Sequence, residues 1–378
     1  MRPLEKKTGD KLGKWGRPLL VALFLVSMGW AAFSKVATTG AQFLKISVGR
    51  ASGMGDAFTA LANDASASYF NPAGLAYIPR QAQINHANWF ADLNHDFLTV
   101  VLPVNNFGTV AISATAMTMG SIEQTTVDNP KTPLREDEGT GLMIGATDLA
   151  FGLSYARIIT DKLSFGLTVK GVNQSMWDLS ASALGFDLGL FYNTGFKSLR
   201  IGAAVTNYGT QLSFAGPHLD YNFFWPDSGP SQLQGSYKTT PVPLPTTFRF
   251  GVAMDLLDND NIRLTAAIDL VHPSDINETV NFGLEYGLAN MLFLRAGYIF
   301  NTDQQYVKKL GDFTGLCAGA GVKGKVVEGL ELGLDYAFRY YSYLKPTHRK
   351  MITVLFRQVK TRSCPSPLGT KSNQAGDG

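Results

Sequence analysis

Residues 261–270 read NIRLTAAIDL, a stretch in which apolar and polar side chains alternate. Ile262, Leu264 and Ile268 share one parity, whereas Arg263 and Asp269 occupy the other. Successive side chains of a β-strand point to opposite faces of the sheet. The stretch therefore predicts a strand with one apolar face and one charged face.

The same two-residue period returns in segments 247–256, 280–288 and 330–340, where charged side chains again keep to one parity. In a soluble β-sandwich the apolar parity would face a shared core and the charged parity would face water. Repeated many times behind an export signal, the pattern instead favours an all-β fold, a transmembrane antiparallel barrel whose apolar side chains face lipid. The charges that we place in its lumen are Arg249, Arg263, Arg295, Arg339, Asp269, Glu285, Glu331 and Asp335.

These lumen charges are of both signs. An open pore often segregates positive and negative side chains to set its ion selectivity, whereas a mixture favours ion pairs inside the barrel. We therefore expect a filled or narrow interior.

The beginning of the chain has the features of an export signal. Basic residues within 6–17 precede the apolar run 19–30, and small residues follow, so residues 1–34 are predicted to be a signal peptide. The apolar run is shorter than the roughly 20 residues that a membrane-spanning helix needs. The formal net charge of +3 belongs to this leader, so we expect no nucleic-acid partner.

Turn residues divide the rest of the chain into about fourteen alternating segments within 81–357, the predicted barrel. Long irregular connections at 121–139 and 208–245 both follow odd-numbered strands and should lie on the same, outer side. The short connections, which suit periplasmic turns, are 104–107, 160–162, 194–198, 258–261, 287–290 and 323–328.

Two flanking segments lack the alternation. Residues 35–80 are predicted to form a plug in the lumen with short helices, one opening near Ser52 and one capped by Asn63 and Asp64. Residues 71–74, Asn-Pro-Ala-Gly, predict a stop and a turn. Residues 358–378 are predicted to be a disordered tail, because they are rich in Ser, Pro, Gly and Lys.

The connection 208–245 is too apolar to be only a solvated tether. Its candidate partner or ligand residues are Phe214, Tyr221, Phe223, Phe224 and Trp225. Two interpretations stay open: the connection folds over the barrel mouth as a self-packed lid, or it presents these side chains to a partner.

Three stretches together resemble one family. They are 48–58 (VGRASGMGDAF), 62–76 (ANDASASYFNPAGLA) and 86–97 (HANWFADLNHDF). They resemble the opening of PorV/PorQ-type proteins, relatives of the FadL long-chain fatty acid transporters. The resemblance implies a fourteen-stranded outer-membrane barrel with an N-terminal plug, whose plug motif would be Asn71, Pro72, Ala73 and Gly74.

No arrangement of residues predicts catalysis. Residues 319–324 (GAGVKG) match a dinucleotide-binding spacing, but a strand follows them where a helix would be needed. Asp92, Asn94 and Asp96 have the spacing of a calcium loop, yet Phe97 stands where glycine is required. We expect no enzyme, no cofactor and no metal site.

The sequence thus predicts a non-enzymatic barrel in the bacterial outer membrane, in contact with outer-membrane lipid. The family resemblance implies a role in protein export or surface attachment, with type IX secretion components and exported proteins as partners. The alternative is a passive transporter of hydrophobic small molecules, with the aromatic connection as the capture surface and movement around Asn71 and Pro72 as the gate. A purely structural barrel is the third hypothesis.

Overall fold

The computed structural model describes residues 38–125, 139–224, 232–302, 314–341, 344 and 346–356. The predicted signal peptide at 1–34, the predicted tail at 358–378 and Trp225 lie outside these residues. None of the helices within the described ranges is long and apolar enough to cross a membrane.

Fourteen antiparallel strands form a closed barrel, which confirms the predicted fold class. They are β1 (Gln81–Asn88), β2 (Asn94–Val104), β3 (Gly108–Thr118), β6 (Ala146–Thr160), β7 (Leu163–Met176), β8 (Leu179–Asn193), β9 (Arg200–Gly209), β12 (Thr247–Asp258), β13 (Ile262–Pro273), β14 (Thr279–Leu288), β15 (Leu292–Asn301), β16 (Leu316–Val327), β17 (Leu330–Arg339) and β18 (Thr347–Phe356). Neighbours in this order pair along the sheet, and β1 closes it against β18 with Gln81 opposite Leu355.

Alternation along the strands divides an apolar outer wall from a polar interior. In β13, Ile268 and Leu270 are 48% and 45% exposed, whereas Asp269 between them is 0% exposed. Without a bilayer, these outward apolar side chains would be in contact with water. Apolar residues that face outward and a charged residue that faces inward are the pattern of a transmembrane barrel.

Six short turns and both barrel termini, Gln81 and Phe356, lie at one end, which we call the turn end. The opposite, loop end carries two ribbons within its long connections, β4 (Ile122–Thr125) with β5 (Gly139–Ile144) and β10 (Asp220–Phe224) with β11 (Gln232–Ser236). Short turns are typical of the periplasmic side.

The turn predicted at 323–328 was placed too early. Strand β16 continues to Val327 through an irregularity between Lys325 and Val327, and β17 begins at Leu330. Gly324, which suggested the turn, lies inside the strand with open space beside it. The turn predicted at 287–290 likewise starts later, because β14 extends to Leu288.

Residues 38–80, which we call the inner segment, run inside the barrel from the loop end to the turn end. Near its start, Gly40 N–H donates to Pro243 O of the loop end at 2.9 Å, and the segment leads into β1 at the turn end. It contains 3-10 helices at Gln42–Lys45, Gly49–Met54 and Pro72–Tyr77 and one α-helix at Ala67–Phe70. Further 3-10 helices lie at Phe90–Asp92 and Pro217–Leu219.

The helices of the inner segment differ in register from the prediction. The helix expected to open near Ser52 begins earlier and ends at Met54, because Gly55 adopts a left-handed φ of 63°. Residues 71–74 do not form a plain stop and turn. Asn71 ends the α-helix and caps the next 3-10 helix, with its side chain accepting a hydrogen bond from Ala73 N–H and with Pro72 at the first helical position.

Candidate functional site

Two clusters of side chains fill different parts of the interior. We call Arg50, Asp64, Glu285, Arg295 and Asp335 the turn-end charge cluster. We call Phe43, Leu44, Val172, Ala183, Leu212 and Leu244 the loop-end apolar cluster. The inner segment contributes to both, so its position depends on both.

The turn-end charge cluster is a chain of alternating ion pairs. Arg50 Nε lies 2.5 Å from Asp64 Oδ2, and Arg50 NH1 lies 2.9 Å from Glu285 Oε2. Arg295 bridges two carboxylates. Its Nε lies 2.7 Å from Glu285 Oε2, and its NH1 lies 2.5 Å from Asp335 Oδ1. The side chains of Arg295 and Glu285 are 3% and 4% exposed, so neither charge has much access to water. Removing one partner would leave a buried charge without compensation.

A cavity of about 230 Å³, lined by both charged and apolar side chains, borders this cluster near the turn end. Its lining includes Asn63, Arg263 and Lys323 besides members of the cluster. Arg263 is only loosely paired, with NH2 3.9 Å from Glu285 Oε1, and Lys323 Nζ lies 3.3 Å from Glu331 Oε2. Charged side chains therefore line the turn end of the lumen even where protein does not fill it.

The remaining predicted lumen charges contact the inner segment. Asp269 accepts hydrogen bonds from Phe58 N–H at 3.0 Å and from Thr59 N–H at 2.9 Å. Arg339 NH1 lies 3.3 Å from Asp56 Oδ2. Arg249 stacks over the Phe70 ring, with 5.4 Å between the guanidinium carbon and the ring centroid. Seven of the eight charges that the sequence assigned to the lumen thus contact the inner segment or one another, and Glu331 pairs with Lys323.

Arg349 is an interior charge that the sequence analysis missed. It is 1% exposed, and its Nε donates to Ser47 O of the inner segment at 3.1 Å. The alternation of polar and apolar residues is lost at this point of β18, because His348 and Lys350 on either side of Arg349 are polar as well. The sequence pattern therefore gave no sign of an inward charge.

The motif Asn71–Pro72–Ala73–Gly74 docks against β7 and β8. Asn71 is 0% exposed, and its Nδ2 donates to Thr59 O at 2.9 Å and to Leu190 O at 3.1 Å. Ser164 of β7 donates to Ala73 O at 2.9 Å. One side chain therefore ties two parts of the inner segment to the wall.

Glycines on the facing strands allow this close approach. A Cβ atom on Gly166 would lie 2.2 Å from the carbonyl carbon of Pro72, and one on Gly189 would lie 2.2 Å from Asn71 Oδ1. At both positions atoms of the inner segment occupy the space that a side chain would need, so only glycine fits there.

The loop-end apolar cluster joins the inner segment to the connection between β9 and β12. Phe43 and Leu212 are 0% exposed and Leu244 is 1% exposed. Leu212 and Val242 exchange backbone hydrogen bonds of 2.8 and 2.9 Å, which hold the two sides of the connection together over the mouth. The described part of this connection is therefore packed down as a lid.

The two candidate aromatic side chains that the structure describes, Phe214 and Tyr221, lie in different surroundings. Phe214 packs against the edge of the loop-end apolar cluster. Tyr221 is exposed on the β10–β11 ribbon, with its ring 4.6 Å from that of Tyr237. Phe223 and Phe224 belong to β10, and Trp225 lies outside the described residues. Leu212 and Leu244 are fully buried residues of the described part of the connection, and only their packing partners reveal this.

Asp275, between β13 and β14 at the loop end, holds the start of the inner segment. Lys45 Nζ lies 2.8 Å from its Oδ2, and Thr39 Oγ1 and Gln42 Nε2 donate to the same oxygen at 2.7 and 2.8 Å. Burial raises the pKa of this carboxyl group, but the three hydrogen bonds and the Lys45 charge outweigh it and hold the pKa below its ordinary value. The contact is therefore a latch that remains charged at neutral pH.

A groove of about 540 Å³ lies on the wall beside the loop-end apolar cluster. Phe151, Gly171 and Leu184 line it, and so do Val172 and Ala183, which belong to the cluster. The β8–β9 pairing ends near Gly185, so a thin part of the wall separates cluster and groove.

The ladder of backbone hydrogen bonds between β8 and the chain that follows β9 is incomplete beside this groove. Beyond the end of the β8–β9 pairing, Leu184 O accepts from Thr210 N–H at 2.9 Å, and the next backbone contact is the bridge between Ser180 and Ala215. Among the described residues, the stretch between these two contacts forms no continuous ladder.

Within the described ranges, no group of three or more His, Cys, Asp or Glu side chains is placed to hold a metal ion. The chemistry available in the interior is apolar contact at the loop end and ion pairing at the turn end.

Comparisons with known proteins agree with the fold. The model of an uncharacterised protein family (UPF0164) matches residues 29–171. No curated protein matches the chain. The monoaromatic hydrocarbon channel CymD is similar in structure, with a TM-score of 0.51 and 15% identity over 82% of this chain and 97% of that chain.

The Pseudomonas putida toluene transporter TodX is similar as well, with a TM-score of 0.50 and 15% identity over 80% of this chain and 95% of that chain. At such low identity the likeness establishes the fold alone. Together with the apolar outer wall, this barrel fold places the chain in the bacterial outer membrane.

Proposed function

We propose that the protein is a passive transporter of hydrophobic small molecules. The observation that carries the proposal is the loop-end apolar cluster, because it lies where a molecule arriving from outside would first meet the barrel interior. Phe43 and Leu44 of the inner segment occupy this position and could be replaced there by an apolar ligand. The likeness to a hydrocarbon channel and a toluene transporter supports the proposal.

The energetics favour a small apolar compound. Burying apolar surface is worth roughly 25 cal/mol per Å², so a ligand that buries about 200 Å² gains on the order of 5 kcal/mol. The ligand must displace side chains that gain similar energy from the same contacts. Net binding is therefore weak and reversible, as a passive carrier requires.

The turn-end charge cluster makes a straight path through the barrel unfavourable. An apolar molecule would have to separate Arg50 from Glu285, or pass beside them in a polar environment. The thin wall at Val172 and Ala183 offers an apolar alternative, because the groove outside it is also largely apolar. We infer that the ligand moves from the lid toward this wall.

The gate in this proposal differs from the one expected from sequence. Movement around Asn71 and Pro72 would break the buried hydrogen bonds to Thr59 and Leu190. The start of the inner segment is held mainly by apolar contacts, together with the carboxylate of Asp275 and the hydrogen bonds that the backbone N–H groups of Gly40 and Ala41 donate to Pro243 O and Gln174 Oε1. We therefore assign the gate to the loop end.

The role in protein export implied by the resemblance to PorV/PorQ-type proteins is not carried into this proposal. A surface for cargo would need exposed apolar side chains, and although Tyr221 is exposed, the aliphatic residues Leu212 and Leu244 of the same connection face inward. The transport function, the alternative in the sequence analysis, agrees better with this packing.

Uptake of labelled toluene by cells that carry the protein in their outer membrane tests the proposal. The variant Leu212→Asp places a charge in the cluster and should lower uptake about tenfold or more, since burying an unpaired carboxylate costs several kcal/mol. The matched control is Ile276→Asp, at an exposed position of the same end, which should retain uptake. Folded barrel in the membrane is checked by heat-dependent gel migration. Uptake equal to that of cells without the protein would reject the proposal.

A further inference from the structure

On the lipid-facing wall, one row of side chains that crosses four neighbouring strands is polar instead of apolar. Tyr336 of β17 is opposite Lys350 of β18, Lys350 is opposite His86 of β1, and His86 is opposite Asp96 of β2. Two residues nearer the turn end, the corresponding row is wholly apolar. It consists of Leu334, Ile352, Ile84 and Leu98, all of them exposed.

The position of the polar row along the barrel axis follows from the strand geometry. Asp96 is eight residues before Val104, the turn-end residue of β2. At about 3.3 Å per residue and a tilt of about 40°, this separation is roughly 20 Å along the axis. Phe107 in the following turn extends the apolar surface, which approaches the height of about 25 Å typical of the apolar band. The polar row therefore lies at the outer headgroup level.

Most polar groups of this region already have partners. His86 Nδ1 lies 2.7 Å from Asp96 Oδ1, so the carboxylate in the row is engaged. Tyr336 OH lies 2.5 Å from His348 Nδ1, and the rings of Phe338 and His348 are 5.6 Å apart. These contacts fix an aromatic and imidazole surface on both sides of Lys350.

Lys350 is exposed, and no carboxylate of the described residues forms an ion pair with it. A lysine at the edge of the apolar band extends its ammonium group toward the headgroups, while its methylene stem stays against apolar surface. The anion present at that level is the phosphate of a lipid. Lysines near a membrane surface attract anionic lipids, and tyrosines are enriched at the same depth.

We propose that Lys350, between Tyr336 and His86, binds the phosphate of an anionic lipid at the outer headgroup level. The lipid's acyl chains would lie over the apolar row of Ile352 and Ile84 directly below. The site lies on β17, β18, β1 and β2, whereas the wall groove lies on β6, β7 and β8, and the site is independent of the transport function.

Spin-labelled phosphatidylglycerol and phosphatidylcholine, added to the full-length protein reconstituted in neutral bilayers, test this proposal. The fraction of each lipid that is motionally restricted by the protein gives the preference for the anionic headgroup. We expect wild-type protein to prefer phosphatidylglycerol and Lys350→Gln to lower that preference about fivefold. Lys350→Arg should retain it.

The matched control is Lys238→Gln, which removes an exposed lysine from the loop-end connection, away from the lipid-facing wall. It should leave the preference unchanged. A wild-type protein without preference, or equal losses in Lys350→Gln and Lys238→Gln, would overturn the proposal. Displacement of the labelled phosphatidylglycerol by added inorganic phosphate would also overturn it, because the site would then take the free ion rather than a lipid.

Discussion

The two ends of the lumen hold the same inner segment by different physics. At the turn end, Arg50 is fixed by ion pairs with defined directions and short distances. At the loop end, the side chains of Phe43 and Leu44 are held by apolar packing, which has no preferred direction, and the Asp275 latch is the ion pair that supports them. Directional contacts specify one position, whereas apolar contacts can be exchanged for those of a ligand. The comparison therefore assigns anchoring to the turn end and opening to the loop end.

The largest expected effect is at the anchor. Glu285→Gln leaves Arg50 and Arg295 without their shared carboxylate and should lower stability by about 3–5 kcal/mol. The measurement is the temperature at which the folded barrel band disappears, together with ion conductance in planar bilayers, which should rise as the inner segment loosens. Glu123→Gln on the exposed β4–β5 ribbon is the control. Unchanged conductance in Glu285→Gln would show that the anchor lies elsewhere.

Truncation at the lid should have a smaller and different effect. Leu212→Ala removes a fully buried side chain and should destabilise the loop end by about 2–3 kcal/mol, in the range for buried leucine. Amide hydrogen exchange should accelerate at the lid and at the start of the inner segment, while the residues around Arg50 keep their protection. Equal acceleration at both ends would contradict the division into two regions.

Combining these two substitutions sharpens the comparison. The clusters share no side chains, so Glu285→Gln and Leu212→Ala should add to within about 0.5 kcal/mol in the double variant. A double-variant cycle measured by denaturant unfolding gives the coupling. A coupling above 1 kcal/mol would mean that the inner segment moves as one rigid body.

Asn71→Ala tests the part of the anchor that contains the sequence motif. The substitution removes hydrogen bonds to Thr59 O and Leu190 O and should cost about 1–3 kcal/mol. Toluene uptake should remain near the wild-type rate, because the proposed gate lies at the loop end and not at the motif. Faster uptake in this variant, with the barrel folded, would restore the gate that the sequence suggested.

The latch at Asp275 should respond to acid. Because its folded-state pKa is lower than its ordinary value, the contact contributes stability above that value, near 3.9, and loses it as the pH falls through the folded-state pKa. Asp275→Asn should cost about 1 kcal/mol at pH 7 and abolish this acid dependence. Hydrogen exchange at Thr39 to Lys45 as a function of pH measures both. An identical acid response in Asp275→Asn would rule out the latch.

The alternation of apolar and polar residues along each strand explains how much of this molecule could be predicted from sequence. The strands and their lumen charges follow from a two-residue period that each strand carries by itself, as in β13. Strand β18 carries charged residues on both of its faces, Arg349 on one and Lys350 on the other, so its sequence did not predict that Arg349 points inward. The turn at 323–328 was wrong because a glycine in a strand has the same sequence signature as a glycine in a turn.

The candidate site was less predictable because it depends on contacts between distant residues. Nothing local distinguishes Leu212 and Leu244, which are buried, from Tyr221, which is exposed. The Asn71 motif was identified through the family resemblance. Its packing against the wall became clear only from the structure, in which Gly166 and Gly189 lie opposite it. The aromatic composition of the connection indicated a special role, but not which side chains face the lumen.

Photocrosslinking with a diazirine-bearing benzene derivative, on purified protein in lipid nanodiscs, tests the central claim most directly. Labelling that excess toluene suppresses marks specific sites, and peptide mapping locates them. The account predicts suppressible labelling at Phe43, Leu44, Leu212 and Leu244, with loss of that labelling in Leu212→Asp. Suppressible labelling around Arg50 and Glu285 instead, or labelling that toluene does not suppress at any of the four loop-end residues, would contradict it.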